Sequence, residues 1–213
     1  MKISIAISSY KTFYEKSLKE LIPSLIVSGV PKEDIFVFIG GYESYEILDN
    51  EYGVVMYKVP HNSFDFTALV SVVELSLDRD YWFSIHDTCK VGPTFYSRLI
   101  KLSKPNPTTK FTELGRSMNM GIYSNEFLNK IKNKLIKYKN TSDDLLVFKK
   151  KLVKEEDIFL KGSKGLCKTP REIKNPTDYY SNGIIRIVEY FPDLDFYKIK
   201  SNWKSKDKYE INI

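Results

Sequence analysis

The chain has 213 residues, 42% apolar and 14% aromatic, with only 10 Gly and 9 Pro; this supplies a core for one domain and excludes a disordered or low-complexity chain. Its two cysteines, Cys89 and Cys167, exclude a disulfide framework and a cysteine-built metal knuckle. No apolar run reaches the roughly 18 residues of a membrane span, and the net charge of +6 does not by itself name a partner.

The chain enters a strand pattern at once. Residues 3–8 (ISIAIS) are apolar, β-branched and too few for a helix. The start lacks the layout of a secretory leader, so a reducing, cytoplasmic setting is expected. Residues 14–28 place Leu18, Leu21, Ile22, Leu25 and Ile26 at three- and four-residue steps, a helix that Pro23 should kink or split. Strands follow at 34–39 (DIFVFI), ending at Gly40-Gly41, and at 53–59 (GVVMYKV), ending at Pro60. Residues 66–77 read as a helix, 81–85 (YWFSI) as a buried strand, and 93–102 as a helix opened by Gly92-Pro93.

Beyond a loop at 103–110 the pattern loosens. A strand is expected at 118–123, then a helix at 125–139 capped by Ser124. A further helix is expected at 142–160, capped by Ser142 with Asp143 and Asp144 in its first turn. Residues 162–182 read as a long mobile loop, and 184–203 as one or two strands. Much of the basic charge lies between Lys130 and Lys154, alternating with Ile131, Leu135, Ile136, Leu145, Leu146 and Phe148. That spacing describes a solvated helix face; an anionic partner is the other reading. No nucleic-acid motif of defined spacing occurs, and no nucleic-acid partner is expected.

Strand-helix alternation through the first hundred residues argues for an α/β fold with a mostly parallel sheet flanked by helices. In such sheets ligands bind at the carboxyl ends of strands, at a topological switch. Those ends carry Ser8-Ser9-Tyr10, Gly40-Gly41-Tyr42, Pro60-His61-Asn62 and His86-Asp87-Thr88. A carboxylate directly after a buried strand can hold a divalent ion, or can cap the turn that follows.

Several segments resemble GT-A glycosyltransferases. The opening ISIAISSYKTFYEKSLKELIPSL is similar to their first strand and helix, and LSLDRDYWFSIHDTCKVG to the strand that delivers their metal-binding Asp-X-Asp. MNMGIYSNEFL resembles the strand beside the acceptor, and KEEDIFL the late acidic segment. The pieces fall in order over residues 1–160. The small size and the Lys- and Asn-rich style are similar to virus-encoded glycosyltransferases of the chlorella-virus kind.

The resemblance implies a single GT-A (Rossmann-like) domain, with 1–103 binding a nucleotide sugar and 104–213 facing the acceptor. The polar end, 204–213, leaves room for further domains of a longer chain. The implied donor is a UDP-sugar, the acceptor a glycan or glycoprotein, and the metal Mn²⁺ or Mg²⁺. The literal Asp-X-Asp, Asp78-Arg79-Asp80, precedes the strand instead of following it, and with 13 Asp in the chain roughly one such triplet is expected by chance. Position favours Asp87 as the metal carboxylate, assisted by His86 or Thr88, with Asp78 and Asp80 as the alternative.

By the same resemblance Ser8, Ser9 and Tyr10 line the nucleotide, with Gly40 beside them. Asp65 accepts from uracil or ribose, or else caps the next helix. Asn119 and Gly121 lie under the sugar or acceptor, or form a strand bend. Asp157 or Glu156 is the candidate general base for the acceptor hydroxyl, against a solvent-facing acidic cluster. Lysines of 162–174 are expected to close over the phosphates. A sugar-phosphate nucleotidyltransferase usually carries a Gly-rich phosphate loop, which Ile7-Ser8-Ser9-Tyr10 lacks; a non-catalytic binding module is the other class.

Overall fold

The computed structural model describes residues 2–102, 106–141, 145–174 and 185–201. In chain order the strands are β1 (Ile3–Tyr10), β2 (Ile35–Gly40), β3 (Glu46–Ile47), β4 (Val55–Val59), β5 (Tyr81–His86), β6 (Cys89–Val91), β7 (Thr108–Thr112), β8 (Gly121–Ser124), β9 (Gly165–Cys167), β10 (Glu172–Lys174), β11 (Ile185–Phe191) and β12 (Phe196–Ser201). The α-helices are α1 (Tyr14–Val27), α2 (Thr67–Glu74), α3 (Phe95–Leu99), α4 (Asn125–Leu135) and α5 (Leu145–Lys154).

Period-two alternation builds the layers. In the first strands odd-numbered residues face one side: Ile3, Ile5, Ile7, Ile35, Val37, Ile39, Phe83 and Ile85 share a core with Leu18, Leu21 and Leu25 of α1. Even-numbered Ala6, Phe36, Phe38 and Trp82 face the other, under Leu69, Val70, Val72 and Val73 of α2. Both faces are therefore covered, which is why these strands read as continuous apolar runs.

The main sheet runs β3-β4-β2-β1-β5-β8-β7-β9. Its centre, β4-β2-β1-β5, is parallel throughout, while β8 lies antiparallel to both β5 and β7. The chain is thus α/β, with a large, mostly parallel mixed sheet flanked by helices, compatible with a Rossmann-like arrangement. β1 has β2 on one side and β5 on the other, and the two connections lie on opposite faces. The carboxyl ends of β1 and β5 therefore form a topological switch point.

A second sheet, β10-β11-β12-β6, closes against the first. Phe196 and Phe191 pack on Phe111 of β7, with ring centroids 4.7 and 4.6 Å apart. Because β12 pairs with β6, the late chain returns to the end of β5.

Several expectations are corrected. α1 stays one helix through Pro23: the lost bond is outweighed where Leu18, Leu21, Ile22 and Leu25 are buried together. Residues 108–112 form a strand, not a loop, because β7 is paired on both sides. The expected loop at 162–182 contains β9 and β10, the first locked to β7 at Lys110 and Thr112. β3 and β6 went unread, being only two and three residues long. The Ser124 cap is present, its hydroxyl accepting from Phe127 N–H at 3.1 Å. The cap at Ser142, Asp143 and Asp144 lies outside the described residues, as do 175–182 of the loop and 184 and 202–203 of the tail.

Candidate functional site

The same alternation that builds the layers divides the switch point in two. Ser9 and Asp87 are odd-numbered and meet α1. Oδ2 of Asp87 accepts from the hydroxyls of Ser9 at 2.6 Å and Ser17 at 2.7 Å, and Asp87 N–H donates to the Ser8 carbonyl at 3.1 Å. Burial pushes the Asp87 carboxyl up, while the two hydroxyls and the charge of Lys198 pull it back. The carboxylate is thus held rigidly through one oxygen.

Ser8 and His86 are even-numbered, lie side by side in register, and meet the start of α2. Ser8 Oγ accepts from Ala68 N–H at 3.0 Å and donates to the Asp65 carbonyl at 3.4 Å, which pins the turn carrying Asp65. His86 Nε2 stands 3.4 Å from Asp65 Oδ1 without closing into a hydrogen bond. On its other side Nδ1 accepts from Lys198 Nζ at 3.0 Å, and the same ammonium donates to Thr88 Oγ1 at 2.7 Å. Burial and the Lys198 charge hold His86 well below the usual histidine range, so its ring is neutral. Its low-dielectric surroundings push Asp65 up to about 6 even though 35% of its side chain is exposed, with Lys198 opposing the shift.

The third wall comes from the turn before β8. Asn119 is buried; its N–H donates to Asp157 Oδ1 at 2.8 Å, and its Oδ1 accepts from Asp157 N–H at 2.8 Å. Its Nδ2 has no hydrogen-bond partner among the described residues and faces Asp65. Met118, Asn119 and Asp157 all adopt positive φ, between 52° and 60°. Beside this turn lies a recess of about 460 Å³ lined in part by Leu114, Arg116, Met118, Glu156 and Arg171.

The structure therefore brings together Ser8, Ser9, Asp65, His86, Asp87 and Asn119, drawn from four separate stretches of sequence. Tyr10 ends the same strand, partly exposed. Gly40 lies beside Tyr10 in register, with the His61 carbonyl so close that a Cβ would stand 2.6 Å from it. Gly121 sits under Thr109, where a Cβ would stand 2.4 Å from the carbonyl oxygen.

Other candidates are placed elsewhere. Asp78 and Asp80 lie at the opposite, amino edge of the sheet, where Asp80 accepts from Lys2 N–H at 3.0 Å and Asp78 from Asn125 Nδ2 at 3.0 Å. The turn before β5 does not fold back toward Asp87. Both oxygens of Asp157 are engaged by backbone N–H groups, of Ser117 at 2.7 Å and Asn119. Glu156 pairs with Arg116 at 3.1 Å on the wall of the recess.

Lys198 and Ser17 were missed in the sequence. Each carries a legible sign: Lys198 is in phase with buried Phe196 on β12, and Ser17 lies on the buried stripe of α1 with Leu18 and Leu21. A lysine or serine on an apolar face asks for a polar partner. A scan against protein-family models finds no match to this chain, and a search of curated proteins finds none either.

Proposed function

We propose that the chain is a glycosyltransferase that moves a sugar from a nucleoside diphosphate sugar, a UDP-sugar, to a hydroxyl of a glycan or glycoprotein. The observation that carries this reading is Asp87, fixed by Ser9 and Ser17 at the end of β5, on the switch point of the parallel core. Ligands of open α/β sheets lie at that position. The GT-A resemblance assigns its metal-binding carboxylate to the same strand end.

The donor set bears on the Mn²⁺ or Mg²⁺ that the resemblance implies. Among the described residues no three or more His, Cys, Asp or Glu side chains converge. Asp87 Oδ2 is taken by two hydroxyls, which leaves Oδ1. One carboxylate oxygen fits an ion that takes its remaining ligands from water and the diphosphate, the habit of Mg²⁺ at phosphate sites. When bound, such an ion neutralises charge on the departing diphosphate.

The chain's own groups do the rest. Asp87 is oriented before any ligand arrives, which removes reorganisation from the reaction. Lys198 places a fixed positive charge close to both Asp65 and Asp87. The recess beside Met118 offers a place for the acceptor, with Glu156 on its wall as the candidate proton acceptor; Asp157 shapes that wall by holding the turn. Cytoplasmic action belongs to the same proposal. Among the described residues no helix is long and apolar enough to cross a membrane.

The test is calorimetric titration of UDP, GDP and their common sugar conjugates, with and without Mn²⁺, on the wild type, Asp87→Ala, Asp78→Ala and Asp80→Ala. The expected result is Mn²⁺-dependent binding of one nucleotide, lost in Asp87→Ala and kept in the other two. Binding that fails in Asp78→Ala or Asp80→Ala but survives in Asp87→Ala moves the site to the other sheet edge. No nucleotide binding under any condition ends the glycosyltransferase reading and leaves a non-catalytic module.

A further inference from the structure

We propose that Asp65, His86 and Asn119 form a clamp for one hydroxyl of a carbohydrate, and that Lys198 is the positioning residue that sets the clamp's polarity. The choice of ligand rests on the glycosyl-transfer reading; the geometry does not.

Lys198 is 4% exposed. An ammonium group has donors and no acceptor. Its bond to His86 Nδ1 at 3.0 Å therefore makes Nδ1 the acceptor, and the single proton of the neutral ring must sit on Nε2. Nε2–H is buried, has no hydrogen-bond partner among the described residues, and stands 3.4 Å from Asp65 Oδ1.

Asn119 is fixed in the same way. Its Oδ1 accepts from the backbone N–H of Asp157, which settles which end of the amide is which. The NH₂ end is then the one that faces Asp65; Asn119 is 1% exposed and its Nδ2 has no partner. Neither buried donor makes a hydrogen bond of ordinary geometry among the described residues, although Asn119 lies close enough to Asp65 to pull its carboxyl down and the Met118 carbonyl close enough to His86 to raise it. Buried polar groups are rarely left so in the absence of a ligand or ordered water.

The chemistry of the missing group follows from the donor count. A phosphate oxygen would satisfy the two donors but would be repelled by Asp65. An ammonium would suit Asp65 and leave both donors unmet. A hydroxyl has one donor and two acceptor lone pairs, so it can give its proton to Asp65 and receive from His86 and Asn119. A site built this way rejects the analogue that lacks the hydroxyl far more strongly than an apolar pocket rejects an extra methylene. The hydroxyl can come from the ribose of the nucleotide or from a sugar ring. The clamp lies on the α2 side of the switch point and Asp87 on the α1 side, with Lys198 acting on both carboxylates.

The experiment has a ligand-free arm and a ligand arm. Long-range ¹H–¹⁵N spectra of the His86 ring should show the Nε2–H tautomer alone in the wild type near neutral pH. They should show a mixture with Nδ1–H in Lys198→Met, and the wild-type pattern again in Lys198→Arg. Nδ1–H in the wild type overturns the proposal, and if Lys198→Met does not fold, the wild-type and Asp65→Asn spectra still decide.

In the ligand arm UDP, its 2′- and 3′-deoxy analogues, UDP-glucose, and free glucose and galactose are titrated while the His86 resonances are followed. Asp65→Asn should weaken the probe carrying the recognised hydroxyl at least tenfold and leave its deoxy analogue unchanged. Loss of discrimination among the ribose analogues assigns the hydroxyl to ribose; a response to UDP-glucose or free sugar alone assigns it to a sugar ring. Asp87-dependent nucleotide binding with unmoved His86 resonances overturns the clamp and leaves the glycosyltransferase reading standing. Free sugar moving His86 while no nucleotide binds supports the clamp and overturns that reading.

Discussion

Asp157 and Asn119, 38 positions apart, hold each other through two backbone-to-side-chain bonds: the N–H of each donates to the side-chain oxygen of the other, both at 2.8 Å. A third bond, from Ser117 N–H to the second Asp157 oxygen at 2.7 Å, completes the lock. The turn that carries Asn119 into the site is therefore set from the segment after α5. That segment contains the acidic run from which a general base was expected.

Replacing Asp157 tests this directly. Asp157→Ala strands two part-buried N–H groups and places alanine at φ 59°, where it is disfavoured. The expected loss is about 2–4 kcal/mol of unfolding free energy. Asp157→Asn keeps one acceptor oxygen and tolerates the left-handed backbone, so its loss should be about 1 kcal/mol. Urea unfolding measures both. A fully stable Asp157→Ala with sugar transfer abolished would return the base role to this residue.

Acid titration of stability probes the other side of the α2 start. His61 is buried, with Nδ1 2.9 Å from Ser63 Oγ and Nε2 3.2 Å from Ser71 Oγ, and burial lowers it to about 4. Between the unfolded value of about 6.5 and this folded value the unfolded chain binds the extra proton. Stability therefore falls as pH drops from about 6.5 to 4, by an amount on the order of 3 kcal/mol, and this contribution flattens below that. Asp65, raised to about 6, works in the opposite sense but is common to wild type and variant. In His61→Gln the slope across this window should shrink by most of that amount, read from urea midpoints at each pH. Parallel slopes in the two proteins would show that His61 is not held neutral.

The parallel core was legible because its signal is local. ISIAIS, DIFVFI and YWFSI are runs that only a strand covered on both faces needs, and their ends located the switch point. The same rule placed Asp87 at the ligand-facing edge, and the GT-A resemblance gave it the metal role. What stayed hidden depends on contacts distant in sequence. β7 reads as TTKFT, half polar, and is a strand because β8 and β9 flank it. Lys198 reaches His86 across 112 positions, through a pairing of β12 with β6 that no local pattern announces. Asp157 read as part of a helix end, whereas α5 stops at Lys154 and the residues after it turn back to meet Asn119.

Gly40 has a packing reason for being glycine beside the ligand-facing role that the resemblance implies. It ends β2 at the carboxyl edge of the parallel core, which is why the resemblance gave it a ligand. Its own geometry gives a second cause: an added Cβ would lie 2.6 Å from the His61 carbonyl oxygen and 3.3 Å from Asn62 Cα. Both neighbours are backbone, and Asn62 N–H is tied to the Asn140 carbonyl at 2.9 Å, so the chain there cannot step aside by rotating a side chain. Gly40→Ala should therefore cost about 1–3 kcal/mol, the range for overpacking a filled site. If the glycine served only to let a ligand approach, Gly40→Ala would keep wild-type stability and lose nucleotide affinity alone. Loss of stability with affinity retained under folding conditions assigns Gly40 to the packing of β2 against the 61–62 segment, and urea unfolding beside calorimetry separates the two.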